Sequence, residues 1–277
     1  MYDNTCKFLV ENFPTDFATW LLGKPIALTK LEPSELSVDP IRADSVILLE
    51  SSEIIVHLEF QTKTDDTMPY RMANYYLRLY GKYPTKDIHQ TVIYLRPTKS
   101  LLAYQDNFTT NKLNHEFNVI RLWEQPTETF QQYQGLLPLA VLTKTDNPSE
   151  TLREVAKLID NIKDGKVKSN VAAATAIISG LALDDEVIQR LLGSEIMEES
   201  VFYQGILLKG LTKGKAEGLA KGLAKGKVEA SNQIALNMLR SNMALDLVAQ
   251  LTGLTLKQVQ KLQKQSTKKG QKPKANL

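Results

Sequence analysis

Two acidic residues, Asp44 and Glu59, lie in a segment patterned as a tight β-hairpin, and their pairing would make a site for a hard cation. Residues 43–50 read ADSVILLE and residues 53–62 read EIIVHLEFQT, two apolar, β-branched runs separated by Ser51 and Ser52. A two-residue turn at the serines sets Glu50 against Glu53 and Asp44 against Glu59. A four-residue turn keeps that register, and a three-residue turn breaks it. Alternation sends His57, Glu59, Gln61 and Lys63 to one face of the second strand and Val56, Leu58 and Phe60 to the other. Facing carboxylates with Cβ atoms about 5 Å apart repel one another. A divalent cation held by oxygen ligands relieves that repulsion, and magnesium suits such a site. The chemistry it would serve is metal-assisted phosphodiester cleavage. His57 shares the face of Glu59 but reads as a surface histidine, and His57, His89 and His115 have no metal-ligand spacing.

The elements that must carry these residues follow from periodicity. Residues 3–22 place Leu9, Phe13, Phe17, Trp20 and Leu21 near helical spacing, with a break at Pro14. Ile26 to Val38 reads as an irregular or edge strand, punctuated by Pro33. Residues 67–83, TMPYRMANYYLRLYGKY, predict a helix capped by Thr67, with Pro69 in its first turn and Met72, Tyr76, Leu79 and Tyr83 on one face. Residues 88–95 predict a buried strand, parallel to residues 53–62 across that helix. Residues 115–123, HEFNVIRLW, alternate as one more strand. The expected fold is α/β, a mixed sheet flanked by helices over residues 1–145. A helical region follows over 149–200, starting at Ser149 and Glu150 and broken around Gly165. Trp20 and Trp123 read as core or interface residues. Among the tyrosines of the helix, Tyr75, Tyr76, Tyr80 and Tyr83 read mainly as packing.

The C-terminal third has a different texture. Residues 201–230 are a glycine/lysine repeat with glycine at 205, 210, 214, 218, 222 and 226. Each interior helical glycine costs roughly 0.8–1 kcal/mol relative to alanine, so the segment reads as a weak helix seeking a partner or as a flexible linker. Residues 231–264 have the layout of a helix-turn-helix, with Gly253 as stop and Thr255 as cap. Lys257 and Lys261 fall on its second helix, placed for DNA, although a helical hairpin used for self-association fits the pattern equally. Residues 265–277 read as a disordered basic tail.

Composition narrows the classes. The chain has 277 residues, 43% of them hydrophobic, enough for a substantial core. A single cysteine, Cys6, permits no internal disulfide and no cysteine-based zinc site, and it fits a reducing, cytoplasmic setting. The opening MYDNTCKFLVENF, with Asp3, lacks the long apolar stretch of a secretory signal, and no apolar run suggests a membrane span. Seven lysines and no acids lie from Lys257 onward; removing them from the net +3 leaves −4 for the first 256 residues. Any phosphate-binding face on the body must therefore be local. Neither GxSxG nor GxxxxGK[ST] occurs, so a serine-hydrolase triad and a phosphate-binding loop are unsupported.

With RADSVILLE (42–50), HLEFQTK (57–63), YRMANYYLRLY (70–80) and QTVIYLR (90–96) in view, the chain resembles the Rpn family of recombination-promoting nucleases. These are often labelled transposases and belong to the PD-(D/E)XK nuclease superfamily. The N-terminal helices and the glycine repeat extend the likeness over most of residues 1–265. The resemblance implies a restriction-endonuclease-like core and a Mg2+-dependent DNA endonuclease, with Mn2+ or Ca2+ as substitutes. It makes Asp44 and Glu59 the carboxylate ligands, joined by the Phe60 backbone carbonyl. Glu11 would be a further N-terminal ligand, with Asp3 competing for that place. The superfamily lysine falls at Gln61, a departure shared with the Rpn variant; glutamine can orient a water or phosphate but carries no charge, which Lys63 would supply. Arg71 and Arg78 would hold flanking phosphates, and the C-terminal helices would carry DNA or homo-oligomeric contacts. An inactive DNA-binding or oligomeric scaffold retaining the fold is the alternative, and a filament-type protein built on the lysine–glycine helix is a weaker third.

Overall fold

The structure is a computed structural model and describes residues 2–31, 46–193 and 200–269. Asp44 lies outside the described residues, as do residues 270–277 of the basic tail. The chain divides into two compact units at Ile206/Leu207.

The first unit is built on a five-stranded mixed sheet, ordered β1 (Thr29–Lys30), β2 (Val46–Glu50), β3 (Ile54–Gln61), β4 (Asp87–Tyr94) and β7 (Asn118–Arg121). β1, β2 and β3 are antiparallel neighbours, while β3, β4 and β7 run parallel. Strands β5 (Asn107–Thr109) and β6 (Asn114–Glu116) form a separate two-stranded ribbon, so the expected single strand over 115–123 is split at Phe117.

The β2–β3 register corrects the sequence expectation. Val46, not Asp44, stands opposite Glu59, and Glu50 pairs with Ile55 rather than Glu53. Ser51 explains the shift. Its backbone N–H donates to the Ile54 carbonyl (2.9 Å), and its hydroxyl accepts from the Glu53 and Ile54 amides (3.3 and 3.1 Å). The turn is therefore centred on Ser52–Glu53, one residue later than the serine pair, which slides the partner strand by two. A two-residue slide preserves the faces, so His57, Glu59 and Gln61 still share a side.

One face of the sheet, through Ile47, Leu49, Val56, Leu58 and Phe60, enters the main core. That core is closed by α1 (Tyr2–Asn12), α2 (Pro14–Leu22), α5 (Pro148–Asp160), α6 (Gly165–Ser179) and α7 (Asp185–Leu192). The helical region over 149–200 thus shares a core with residues 1–145 where the sequence suggested two regions. The link is the apolar run 136–142, which is buried throughout, packs on α5 and α6 and belongs to the same core as the sheet face. α4 (Thr127–Gln131) contributes the buried Phe130, on which Trp20 packs edge-on at 4.8 Å. Asp164 starts α6 by accepting from the Lys166 and Val167 amides, both at 2.9 Å, so the expected break near Gly165 is a helix start. The opposite face of the sheet is covered by α3 (Met68–Lys82), whose Met72, Tyr75 and Leu79 are buried.

The second unit begins within α8 (Val201–Arg240) and continues through α9 (Leu245–Thr252) and α10 (Leu256–Lys269). The glycine repeat is helical, and a Cβ at Gly210, Gly214, Gly218, Gly222 or Gly226 would meet nothing within 4 Å. α8 ends with Asn242 in the left-handed region (φ 58°), its N–H on the Leu239 carbonyl and the Met243 N–H on Met238, a Schellman closure. Gly253 (φ 69°) stops α9. Thr255 opens α10 by a reciprocal cap: its N–H and hydroxyl meet Gln258 Oε1 (2.8 Å each), and its hydroxyl accepts from the Gln258 amide (3.4 Å). Ala235, Val248 and Val259 close a small core shared by the three helices. α10 continues to Lys269, five residues into the segment expected to be disordered.

Candidate active site

The site lies between α3 and the sheet, and strand register builds it. In the parallel β3–β4 pair, His57 neighbours Gln90 and Glu59 neighbours Val92. His57, Glu59 and Gln90 are the polar side chains that this arrangement buries under α3: Glu59 and His57 are 0% exposed and Gln90 is 4% exposed.

Glu59 is ringed by donors. Arg71, one turn into α3, donates from Nη2 to Oε1 at 2.9 Å. Gln61 donates from Nε2 to Oε2 at 3.2 Å. His57 Nε2 stands 3.9 Å from Oε1, beyond hydrogen-bond reach. Burial still dominates and pushes the Glu59 carboxyl up from 4.5 to about 7, against the pull of Arg71 and Gln61; the charge of Asp3 pushes the same way. Arg71 is itself shared with Asp65 (3.5 Å) and the Tyr75 hydroxyl. Asp65 Oδ1 accepts from the backbone N–H and hydroxyl of Thr67 (2.9 and 2.7 Å), which holds its carboxyl below the usual range. Asp65 thereby fixes the residue that precedes α3, and the Thr67 side chain makes no cap on the helix.

Behind Glu59 runs a second polar chain. Gln90 Nε2 contacts both the Met72 carbonyl (3.0 Å) and His57 Nδ1 (2.8 Å), and Gln90 Oε1 contacts His115 Nε2 (2.7 Å). The Tyr75 ring meets the His57 ring edge-on at 5.0 Å. Burial, with Arg71 and His115 adding to it, pushes His57 down from 6.5 to about 3, so the ring is neutral at ordinary pH.

The sequence-derived candidates separate on this geometry. Glu59, Gln61 and Arg71 come together. His57 is buried against them, contrary to the expected surface histidine. Arg71 does not present a free guanidinium for phosphate, being engaged by Glu59, Asp65 and Tyr75. Lys63 is exposed and follows the end of β3, so the alternation that placed it on the Glu59 face stops at Gln61. Glu11 pairs with Lys30 at 3.3 Å, whereas Asp3 is the N-terminal acid whose charge is felt at Glu59. Arg78 is half-buried and donates to Asn74 (3.2 Å). The Phe60 side chain points into the main core, edge-on to Phe17 at 6.4 Å. Lys257 and Lys261 are exposed on α10. Sequence reasoning missed Gln90, Tyr75 and Asp65. The signal for Gln90 was a lone amide inside an apolar strand.

The donor set bears on a divalent cation in two ways. A buried carboxylate whose ionisation is opposed by desolvation and by Asp3 is one that a cation would relieve. That carboxylate is also occupied by Arg71, and among the described residues no group of three His, Cys, Asp or Glu side chains is placed to hold a metal. Among the described residues, Glu59 is the one carboxylate at this position, and Arg71 holds its Oε1. Among the described residues, no helix is long and apolar enough to cross a membrane. No model of a known protein family matches the chain, and neither curated proteins nor solved structures give a significant match.

Proposed function

We propose that the chain is a divalent-cation-dependent DNA endonuclease of PD-(D/E)XK type, similar to the Rpn family, acting in DNA recombination or mobility in the cytoplasm. The observation that carries this reading is the buried Glu59 carboxylate on β3 of a mixed sheet, with Gln61 two residues on and Arg71 lying over it from α3. Glu59, Asp44 and the Phe60 carbonyl would hold Mg2+. When bound, the cation would polarise the scissile phosphate and lower the pKa of the attacking water. Gln61, uncharged, would orient the water or the phosphate rather than deprotonate; its amide donates to Glu59 Oε2, beside the proposed ligand. The α9–α10 module, with Lys257 and Lys261 exposed on its second helix, supplies sequence-independent phosphate contacts or self-association.

One observation favours a second reading, an inactive DNA-binding or oligomeric scaffold: Arg71 and Gln61 donate to the two carboxylate oxygens of Glu59 as in a structural ion pair. Incubation with supercoiled plasmid separates the two. The nuclease reading predicts nicking that needs Mg2+ and stops with chelator. A scaffold shifts the plasmid in a gel with or without Mg2+ and leaves it uncut.

A further inference from the structure

We propose that the N-terminal half of β4 is a docking edge for an extended peptide bearing lysine or arginine, which adds to the sheet in line with β7. The proposal does not depend on the role given to Glu59.

The backbone shows the opening. β3 pairs with β4 along Asp87–Tyr94, whereas β7 pairs with it only from Thr91 to Tyr94. The Asp87 and Leu95 amides donate to the Glu53 and Gln61 carbonyls, both at 2.8 Å, on the β3 side. Backbone groups turn to alternate sides along a strand, so odd-numbered residues of β4 bond towards β3 and even-numbered ones face the other way. Val92 and Tyr94 meet β7 there. The N–H and C=O of Ile88 and the N–H of Gln90 face the same way before β7 begins, and among the described residues no strand pairs with them. Phe117 is the cause: its amide donates to the Asp106 carbonyl at 2.9 Å, which holds the chain on the β5–β6 ribbon until the β7 line begins at Asn118.

The space left in that line is a cavity of about 470 Å3, bordered by Ile88 and Gln90 on the strand and by Asp106, Asn107, Glu116 and Asn118 from around the ribbon and the start of β7. Its volume is that of a ligand pocket, and an unpaired strand edge is a template for a further strand. At about 3.3 Å per residue, the opening takes roughly three residues of extended chain. Charge selects among chains. Asp106 and Glu116 border the cavity, and no lysine or arginine does. Glu116 accepts from the Asn114 side chain at 3.3 Å, and among the described residues neither carboxylate is in an ion pair with a lysine or arginine. A strand with lysine or arginine at alternate positions brings cations to both carboxylates. An acidic strand is repelled, and a second copy of this edge would set like charges against each other. These groups lie at the N-terminal end of β4, whereas Glu59 and Gln61 lie towards the C-terminal end of β3.

The test uses the full 15N-labelled chain and an acetylated, amidated pentapeptide of alternating valine and lysine. Two control peptides carry glutamate in place of lysine, or N-methyl groups that remove the backbone donors. The lysine peptide should slow amide exchange at Ile88 and Gln90 and bind about tenfold more tightly than the glutamate peptide, by fluorescence polarisation. The N-methylated peptide should lose both the affinity and the protection. Asp106 and Glu116 are exposed, so the double variant Asp106→Asn, Glu116→Gln should melt like the wild type while losing the preference for lysine over glutamate. Absence of binding overturns the proposal, as does unchanged exchange at Ile88 and Gln90 under saturating lysine peptide. Equal affinity for the two charged peptides, or a double variant that keeps the preference, overturns it as well. So does protection of the two amides that grows with protein concentration in the absence of peptide, which would make a second copy of the chain the occupant.

Discussion

Glu59 and His57 are two buried titratable groups with opposed pH signatures. Burial lifts Glu59 from 4.5 to about 7, so its contribution to stability is complete below pH 4.5 and is lost as the pH rises to about 7. His57 is pushed from 6.5 down to about 3, so its contribution is complete above pH 6.5 and is lost as the pH falls towards 3. The slopes cancel between pH 4.5 and 6.5. Taken together, the pair gives a plateau there, with loss on the acid side belonging to His57 and loss between pH 6.5 and 7 belonging to Glu59. Replacing Glu59 by Gln keeps the shape and an acceptor for Arg71 but removes the second limb. Urea unfolding at pH 5 and pH 8 should show wild type losing on the order of 2–3 kcal/mol relative to Glu59→Gln over that interval. Parallel curves for the two proteins would mean that Glu59 is ionised throughout.

At the scale of elements, what the sequence displayed was periodicity, and what it withheld was register and partnership. Helix α3, the parallel β3–β4 pair and the Gly253/Thr255 turn all follow from spacing and cap chemistry that are local to the chain. The hairpin register did not follow, because Ser51 and Ser52 look alike in sequence and only Ser51 closes the turn through its hydroxyl. Glu59 and Gln61 were legible as a shared strand face. Gln90 was not, because its value comes from lying beside His57 across two strands joined by a helix. Lys63 was misplaced for the opposite reason: alternation was carried past the end of β3. The glycine repeat is now a clean test of element stability. Added Cβ atoms at Gly214, Gly218 and Gly222 meet nothing within 4 Å. The triple alanine variant should therefore gain helix at about 0.8–1 kcal/mol per site, read as raised ellipticity and slower amide exchange over α8. A loss of stability or of DNA binding instead would show that a partner needs the bare backbone there.

At the scale of the whole molecule, the charge is uneven: −4 over the first 256 residues and seven lysines from Lys257 onward. Lys257 and Lys261 are exposed on α10, and the proposed nuclease reading has them contact DNA phosphates. Reversing both to Glu should weaken binding to unrelated DNA sequences alike and flatten the dependence of log K on log salt by about 2, close to one unit for each lost phosphate contact. An unchanged slope would assign those lysines to solubility and the module to self-association. The account as a whole depends on Glu59 being the reacting centre rather than an internal ion pair. The most direct measurement is the initial rate of Mg2+-dependent nicking of supercoiled plasmid by wild type, Glu59→Gln and Asp44→Ala, each shown by melting to be folded. The account predicts cutting by the wild type and at least a hundredfold loss, about 2.7 kcal/mol of transition-state stabilisation, in both variants. Folded Glu59→Gln protein that nicks at the wild-type rate would contradict it.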